Sequence, residues 1–225
     1  MRILLKNLSK TYNTEFEQVT AVNNVNLQVE PGEFIAITGR SGSGKTTLLS
    51  LIGGLTRPDT GFVLLDGASI WGLNDAGISV FRSSKIGFIF QFASLLPGLT
   101  LLDNVLLPTL FMPGVQGGTG HDQLGRAKEL LELFGLGDRM LAYPSQISGG
   151  QQKRAAIARA LINEPQLILA DEPTADLDEE TESEVMETLG KVNRDYGATL
   201  VLVTHNMDFA SRAGRVYRMS NGMIS

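Results

Sequence analysis

The chain has 225 residues, a net charge of −5 and no cysteine. This length supports one domain with a sizeable core and room for an inserted lobe. An acidic balance without a Lys/Arg run excludes a broad nucleic-acid surface, and the missing thiols exclude disulfides, thiolate metal sites and cysteine nucleophiles.

The N-terminus, MRILLKNLSKTYN, meets charge at Lys6 before any long apolar stretch builds, so no signal peptide is expected. Residues 1–33 hold short β-like stretches with a turn signal at Pro31-Gly32, which reads as an antiparallel layer. Phe34–Thr38 (FIAIT) is an apolar run without alternation, the pattern of a strand buried on both faces. It leads into Gly39-Arg40-Ser41-Gly42-Ser43-Gly44-Lys45-Thr46, which fits G-x-x-x-x-G-K-[ST]. Such glycines let backbone N–H groups curl around phosphate oxygens. Lys45 supplies charge to the β/γ-phosphates, the Thr46 hydroxyl suits Mg2+, and the helix that follows points its positive end at the anion. The bland alternative is a Gly/Ser turn capping an ordinary helix, and the strand–loop–helix context argues against it.

Ile86–Phe90 (IGFIF) is a second buried run and ends at Gln91. From about residue 92 to 160 the pattern is mostly helical and reads as a lobe inserted into the sheet. Leu124, Ala127, Leu130, Leu131 and Phe134 share a face there, and GVQGGTG at 114–120 is a loop by composition. The stretch 92–113, FASLLPGLTLLDNVLLPTLFMP, is more apolar than a small lobe can bury, so part of it is expected to form a hydrophobic groove that receives a helix of another chain; the bland alternative is that its leucines are all core. Prolines and Asp103 interrupt this region well short of the ~20 apolar residues that a spanning helix needs. Ser148-Gly149-Gly150-Gln151 then opens the helix QQKRAAIARALI. Serine is a common N-cap, and alone this signal is weak. Yet it is a second helix N-terminus shaped for an anion. Two chains facing head to tail would use both.

Leu167–Ala170 (LILA) ends at the adjacent acids Asp171 and Glu172. Burying an unpaired carboxylate is costly, so such a pair serves a cation or a reaction. Asp171 is suited to hold Mg2+ through water, and Glu172 to polarise an attacking water. Val185, Met186, Leu189 and Val192 mark one face of a further helix. Leu200–Thr204 (LVLVT) ends at His205, and RVYRMSNGMIS reads as a hairpin turning at Asn221-Gly222. Alternating strands and helices point to an α/β sheet covered by helices, with ligands at the carboxyl ends of the strands.

In order along the chain, GRSGSGKT (39–46), Gln91, ISGGQ (147–151), LILADE (167–172) and His205 resemble the ATP-binding cassette ATPases over essentially the whole length. The resemblance implies a P-loop NTPase core with a mainly parallel sheet, an N-terminal antiparallel β layer and an inserted α-helical subdomain, within one domain spanning 1–225. It implies ATP and Mg2+, with Lys45, Glu172 and His205 catalytic. ATP would be met by Tyr12, by Gly39 through Thr46, by Thr47 and Gln91, by Ser148, Gly149, Gly150 and Gln151, and by Asp178. Thr46, Gln91 and Asp171 would hold the metal. Tyr12 would stack on adenine, with Phe16 a weaker rival. Gln91 would relay nucleotide state to the lobe, His205 would contact the γ-phosphate, and Asp178 would lie in a loop crossing the dimer interface. His121 reads as solvated. Two residues depart from the pattern: Ile147 replaces the commoner leucine, and Asp176 adds a carboxylate near the facing chain's phosphates, repulsive unless paired.

Within that family, TYNTEFEQVTAV and LADEPTADLD resemble the subgroup serving macrolide export, lipoprotein release, haem or peptide efflux, and cell division. The expected function is an ATPase subunit, paired with a second copy of itself, that moves a separate integral membrane permease in export or extraction. Its expected place is cytoplasmic, peripheral on the inner face of the cell membrane, with no nucleic-acid partner. The alternative is a cell-division type signalling module that transports nothing.

Overall fold

A computed structural model describes residues 1–13, 17–112, 122–175 and 177–225. Phe16, the loop at 114–120, His121 and Asp176 lie outside the described residues. In chain order the elements are β1 (Ile3–Asn13), β2 (Gln18–Val29), β3 (Phe34–Thr38), α1 (Lys45–Ile52), β4 (Thr60–Leu65), α2 (Asp75–Lys85), β5 (Ile86–Ile89) and α3 (Leu101–Leu106). They continue with α4 (Gln123–Leu133), α5 (Gly149–Leu161), β6 (Leu167–Asp171), α6 (Glu179–Tyr196), β7 (Thr199–Val203), α7 (Met207–Ala210), β8 (Arg215–Ser220) and β9 (Met223–Ile224).

Six strands form the larger sheet in the order β5-β6-β7-β3-β8-β9, parallel except for the closing β8–β9 hairpin. Successive residues of its central strands serve opposite cores. Leu167, Leu169, Val201 and Val203 pack with Leu5, Leu8, Leu48 and Val63 on one side. Ile168, Ala170, Leu200 and Leu202 pack with Leu131, Ile157 and Leu189 on the other. Strands apolar on both faces cannot alternate, which is why these runs are continuous in the sequence. It also brings the ends of β3, β6 and β7 into one row.

The antiparallel layer has the order β2-β1-β4. Its third strand comes from residues 60–65, outside the 1–33 segment expected to supply the layer. Val63 and Leu65 are buried there opposite Leu5 and Ile3, but the strand is short and its alternation is shared with too few residues to stand out.

Among the described residues between Gln91 and β6 the regular structure is helical, as expected. Leu101, Val105, Ala127, Leu131 and Ile157 join α3, α4 and α5 in the second core. Leu124 is a correction: it is 47% exposed, because it sits in the first turn of α4, ahead of the packed Ala127, Leu130 and Leu131. Among the described residues no helix is long and apolar enough to cross a membrane.

Candidate functional site

The glycine-rich loop joins β3 to α1 where two other backbones press against it. A Cβ on Gly39 would lie 2.3 Å from the Met219 carbonyl oxygen, and one on Gly44, whose φ is 103°, would lie 2.0 Å from that of Ala21. Neither position admits a side chain. Lys45 Nζ donates to the carbonyls of Gly39 (2.8 Å) and Arg40 (3.0 Å), so its ammonium is held inside the curl of the loop. The Thr46 hydroxyl donates to Asp171 Oδ2 at 2.6 Å. Asp171 is the last residue of β6 and 6% exposed. Burial raises its pKa above the usual carboxylate value and the Glu172 charge adds to this, while the Thr46 hydrogen bond, Lys45 and Lys153 pull it back.

Glu172 leaves the strand with a φ of 45°, in the left-handed region. Its N–H donates to the Val203 carbonyl at 2.9 Å. The kink separates the two acids, and Glu172 Oε1 meets His205 Nδ1 at 2.9 Å. The imidazole is otherwise open to solvent, with 77% of its side chain exposed. Asp171, Glu172 and His205 share a cleft of about 620 Å³ with Gly39, Ser41, Gly42, Gly44, Lys45, Thr46, Thr47 and Gln91. Arg40 and Ser43 face a second cleft on the loop's other side, about 740 Å³, which His205 also borders. The buried Ser43 hydroxyl has no partner.

Other expected residues stand apart. Ser148, Gly149, Gly150 and Gln151 line neither cleft. Ser148 caps α5 through a capping box: its hydroxyl accepts from the Gln151 N–H (3.2 Å), and Gln151 Oε1 accepts from the Ser148 N–H (3.0 Å). Asp178 caps α6, accepting from the Thr181 N–H (3.0 Å) and hydroxyl (2.9 Å). The backbone bond first, then the hydroxyl, holds its carboxyl below the usual value. Tyr12 is the penultimate residue of β1, lies opposite Val19, is 40% exposed, and has the Lys10 ammonium 5.6 Å from its ring centre. Tyr12 does not line the cleft, whereas Val19, Thr20 and Ala21 of the neighbouring strand do.

Three contributions have no counterpart in the sequence reading. The Val19–Ala21 wall and the Asn221-Gly222 turn reach the cleft from distant segments, the turn tied to the loop by Gly222 N–H donating to the Ser43 carbonyl at 3.1 Å. The hairpin at Asn221-Gly222 is legible in the sequence, but no local signal announces that either segment reaches the cleft. The third is Lys153, which is 3% exposed. Its ammonium donates to the carbonyls of Phe90 (2.8 Å), Gln91 and Glu172 (3.2 Å). Here a signal existed: Lys153, Ile157 and Leu161 fall at i, i+4 and i+8, which puts the lysine in the buried stripe.

The site suits a phosphate chain accompanied by a hard cation. Gly39 and Gly44 admit no side chain, the Lys45 ammonium faces carbonyls it can release, and Ser43 carries an orphaned hydroxyl. Thr46 and Asp171 offer oxygen donors, as Mg2+ requires. Among the described residues no group of three His, Cys, Asp or Glu could hold a metal ion.

The match of the ABC transporter family to residues 22–175 agrees with this geometry. The chain belongs to that family, as an ATP-binding and ATP-hydrolysing subunit. It is 46% identical over 217 residues to the lipoprotein-releasing system ATP-binding protein LolD of Geobacter metallireducens, covering 96% of this chain and 95% of that one. It is 43% identical over 223 residues to the macrolide export ATP-binding/permease protein MacB of Rhodopirellula baltica, covering 99% of this chain but only 32% of that longer protein. Among solved structures it is similar to the dimeric post-hydrolysis state of the ATP-binding cassette MJ0796 bound to ADP and Pi, a protein of Methanocaldococcus jannaschii. There the TM-score is 0.92 at 42% identity, covering 99% of this chain and 96% of the other. The expected fold, a P-loop NTPase core with its antiparallel layer and helical insertion, is the fold found.

Proposed function

We propose that this chain is the motor of an export or extraction system, in which ATP held between two copies facing head to tail drives a separate integral membrane permease. One observation carries this reading. A single chain gathers one anion cradle with Lys45, Asp171, Glu172 and His205, and leaves a second cradle, Ser148–Gln151, away from both clefts. A facing copy would bring that second cradle to the first. MJ0796 forms dimers, and the names of LolD and MacB speak of release and export.

In this reading Lys45 and the loop N–H groups bind the phosphates, while Tyr12 stacks on adenine from the rim. Thr46, Asp171 and Gln91 hold Mg2+, which when bound neutralises charge on the β- and γ-phosphates. Glu172 takes the proton of the water that attacks the γ-phosphorus. His205 fixes the carboxylate of Glu172 through its 2.9 Å contact and meets the γ-phosphate, and ADP leaves. Ser148–Gln151 and Asp178 act on the facing chain's site. The chain is one domain with a lobe at about 92–160.

The permease sits at a groove of about 400 Å³ lined by Leu55, Phe88 and Phe90 together with Leu107, Pro108 and Phe111 of the 92–113 stretch. The apolar stretch from 92 to 113 divides between two uses. Leu101 and Val105 are core, whereas Phe92 and Leu110 are 72% and 71% exposed, a surface suited to a partner helix. Docking there places the chain on the cytoplasmic face of the membrane.

The test is complementation. A Ser148→Arg chain and a Lys45→Ala chain are each expected to be inactive alone. Mixed, they form dimers in which both lesions fall on one composite site and the other site is intact, so phosphate release partly recovers. Heterodimers that form but never recover activity would remove the head-to-tail arrangement.

A further inference from the structure

A lysine ammonium has three N–H donors and no acceptor. That of Lys153 meets three backbone carbonyls from two loops: Phe90 and Gln91 at the end of β5, and Glu172 at the end of β6. Six residues further along α5, the Arg159 guanidinium donates to the carbonyls of Ala93 (3.0 Å) and Ser94 (2.8 Å). One helix therefore grips the chain on both sides of Phe92 and, through Lys153, the residue that carries the reacting carboxylate. Burying a cation is costly, and an amide or apolar side chain would pack the same space without that cost. What the ammonium adds is a simultaneous hold on both loops from a helix whose first residues are Ser148–Gln151.

We infer that Lys153 is a positioning residue that transmits the seating of α5 on the facing chain's nucleotide to Gln91 and Glu172 of its own site, and so couples the two composite sites. This rests on the head-to-tail reading proposed above. In such a dimer the amino end of α5 serves one nucleotide, while Gln91 and Glu172 of the same chain serve the other. A shift of α5 along its axis moves Nζ, and with it the three carbonyls that it holds. Loss of the ammonium would then disturb the timing between sites more than the binding of either nucleotide.

The test uses the full chain with Glu172→Gln to retain ATP, followed by hydrogen exchange and size-exclusion chromatography with and without ATP. In the parent, ATP is expected to produce dimers and to slow exchange at 39–46, 90–94 and 172–175. Adding Lys153→Met should leave dimers and the slowing at 39–46 in place and abolish the ATP response at 90–94 and 172–175. With Glu172 restored, the Hill coefficient for ATP turnover should fall from near the number of sites toward one. A purely structural lysine gives another pattern: exchange at 90–94 rises equally with and without ATP and the Hill coefficient holds. That result overturns the proposal. If Lys153→Met does not fold, Lys153→Gln, which keeps two N–H donors, is read in the same way and must weaken the same responses. Failure of the parent to dimerise would instead overturn the head-to-tail arrangement, and the coupling with it.

Discussion

The carboxyl ends of β3, β6 and β7 and the amino end of α5 both offer groups to a phosphate, and they are completed to different degrees. At the strand ends the functional groups touch one another: Thr46 bonds Asp171, and His205 bonds Glu172. At the amino end of α5, Ser148 and Gln151 satisfy each other in a capping box and line neither cleft. The stretch after Gln91 is open in the same sense, with Phe92 and Leu110 facing solvent. The contrast separates what one chain assembles through its own core from what it presents for completion from outside. Strand ends are fixed by two buried cores, so their geometry exists before any ligand arrives; a helix end on the lobe's surface can wait.

The sharpest way to break this contrast is at Glu172. Glu172→Gln should keep ATP binding and lower turnover by about two to four orders of magnitude, the range lost with a general base, and the protein should collect as an ATP-bound dimer. Phosphate release and size-exclusion chromatography decide it; near-normal hydrolysis would mean that the strand-end carboxylate is not the reacting one.

A smaller effect tests whether the assembled end is held at a cost. Because burial raises the Asp171 pKa, the nucleotide-free fold is favoured while that carboxyl is protonated, and the contribution is lost as pH rises through the raised value. Asp171→Asn cannot ionise. It should therefore melt a few degrees above the parent at neutral pH without nucleotide, with the gap closing as pH falls toward the ordinary carboxylate range, and it should lose turnover. A gap that widened on acidification would reverse the argument.

The smallest effect belongs to the open surface. Phe92→Ser and Leu110→Ser should each change stability by no more than about 0.5 kcal/mol, as exposed positions do, yet reduce co-purification with the permease. A large loss of stability would show that these side chains belong to the core after all.

The sequence announced the two-sided sheet and its strand-end chemistry because both are local: unbroken apolar runs, then Gln91, Asp171 and His205. It located Ser148–Gln151 for the same reason. It did not announce β4 as the third strand of the antiparallel layer, or the walls at Val19–Ala21 and Asn221-Gly222, since their roles depend on contacts made across the fold. Leu124 misled because periodicity does not reveal where a packed stripe begins. Lys153 was passed over because a lysine in a helix is usually solvated, although its register with Ile157 and Leu161 told otherwise.

The left-handed backbone at Glu172 sets fold and chemistry against each other at one position. Glycine, asparagine and aspartate enter that conformation more readily than glutamate, and β-branched residues scarcely enter it. A pool of variants at residue 172 selected for folding alone would drift toward glycine and asparagine, whereas on the role proposed for Glu172 selection for turnover would keep the acid. In that reading the resting protein carries an amino acid its own backbone would not choose, and the preference that retains it operates only while ATP is being spent.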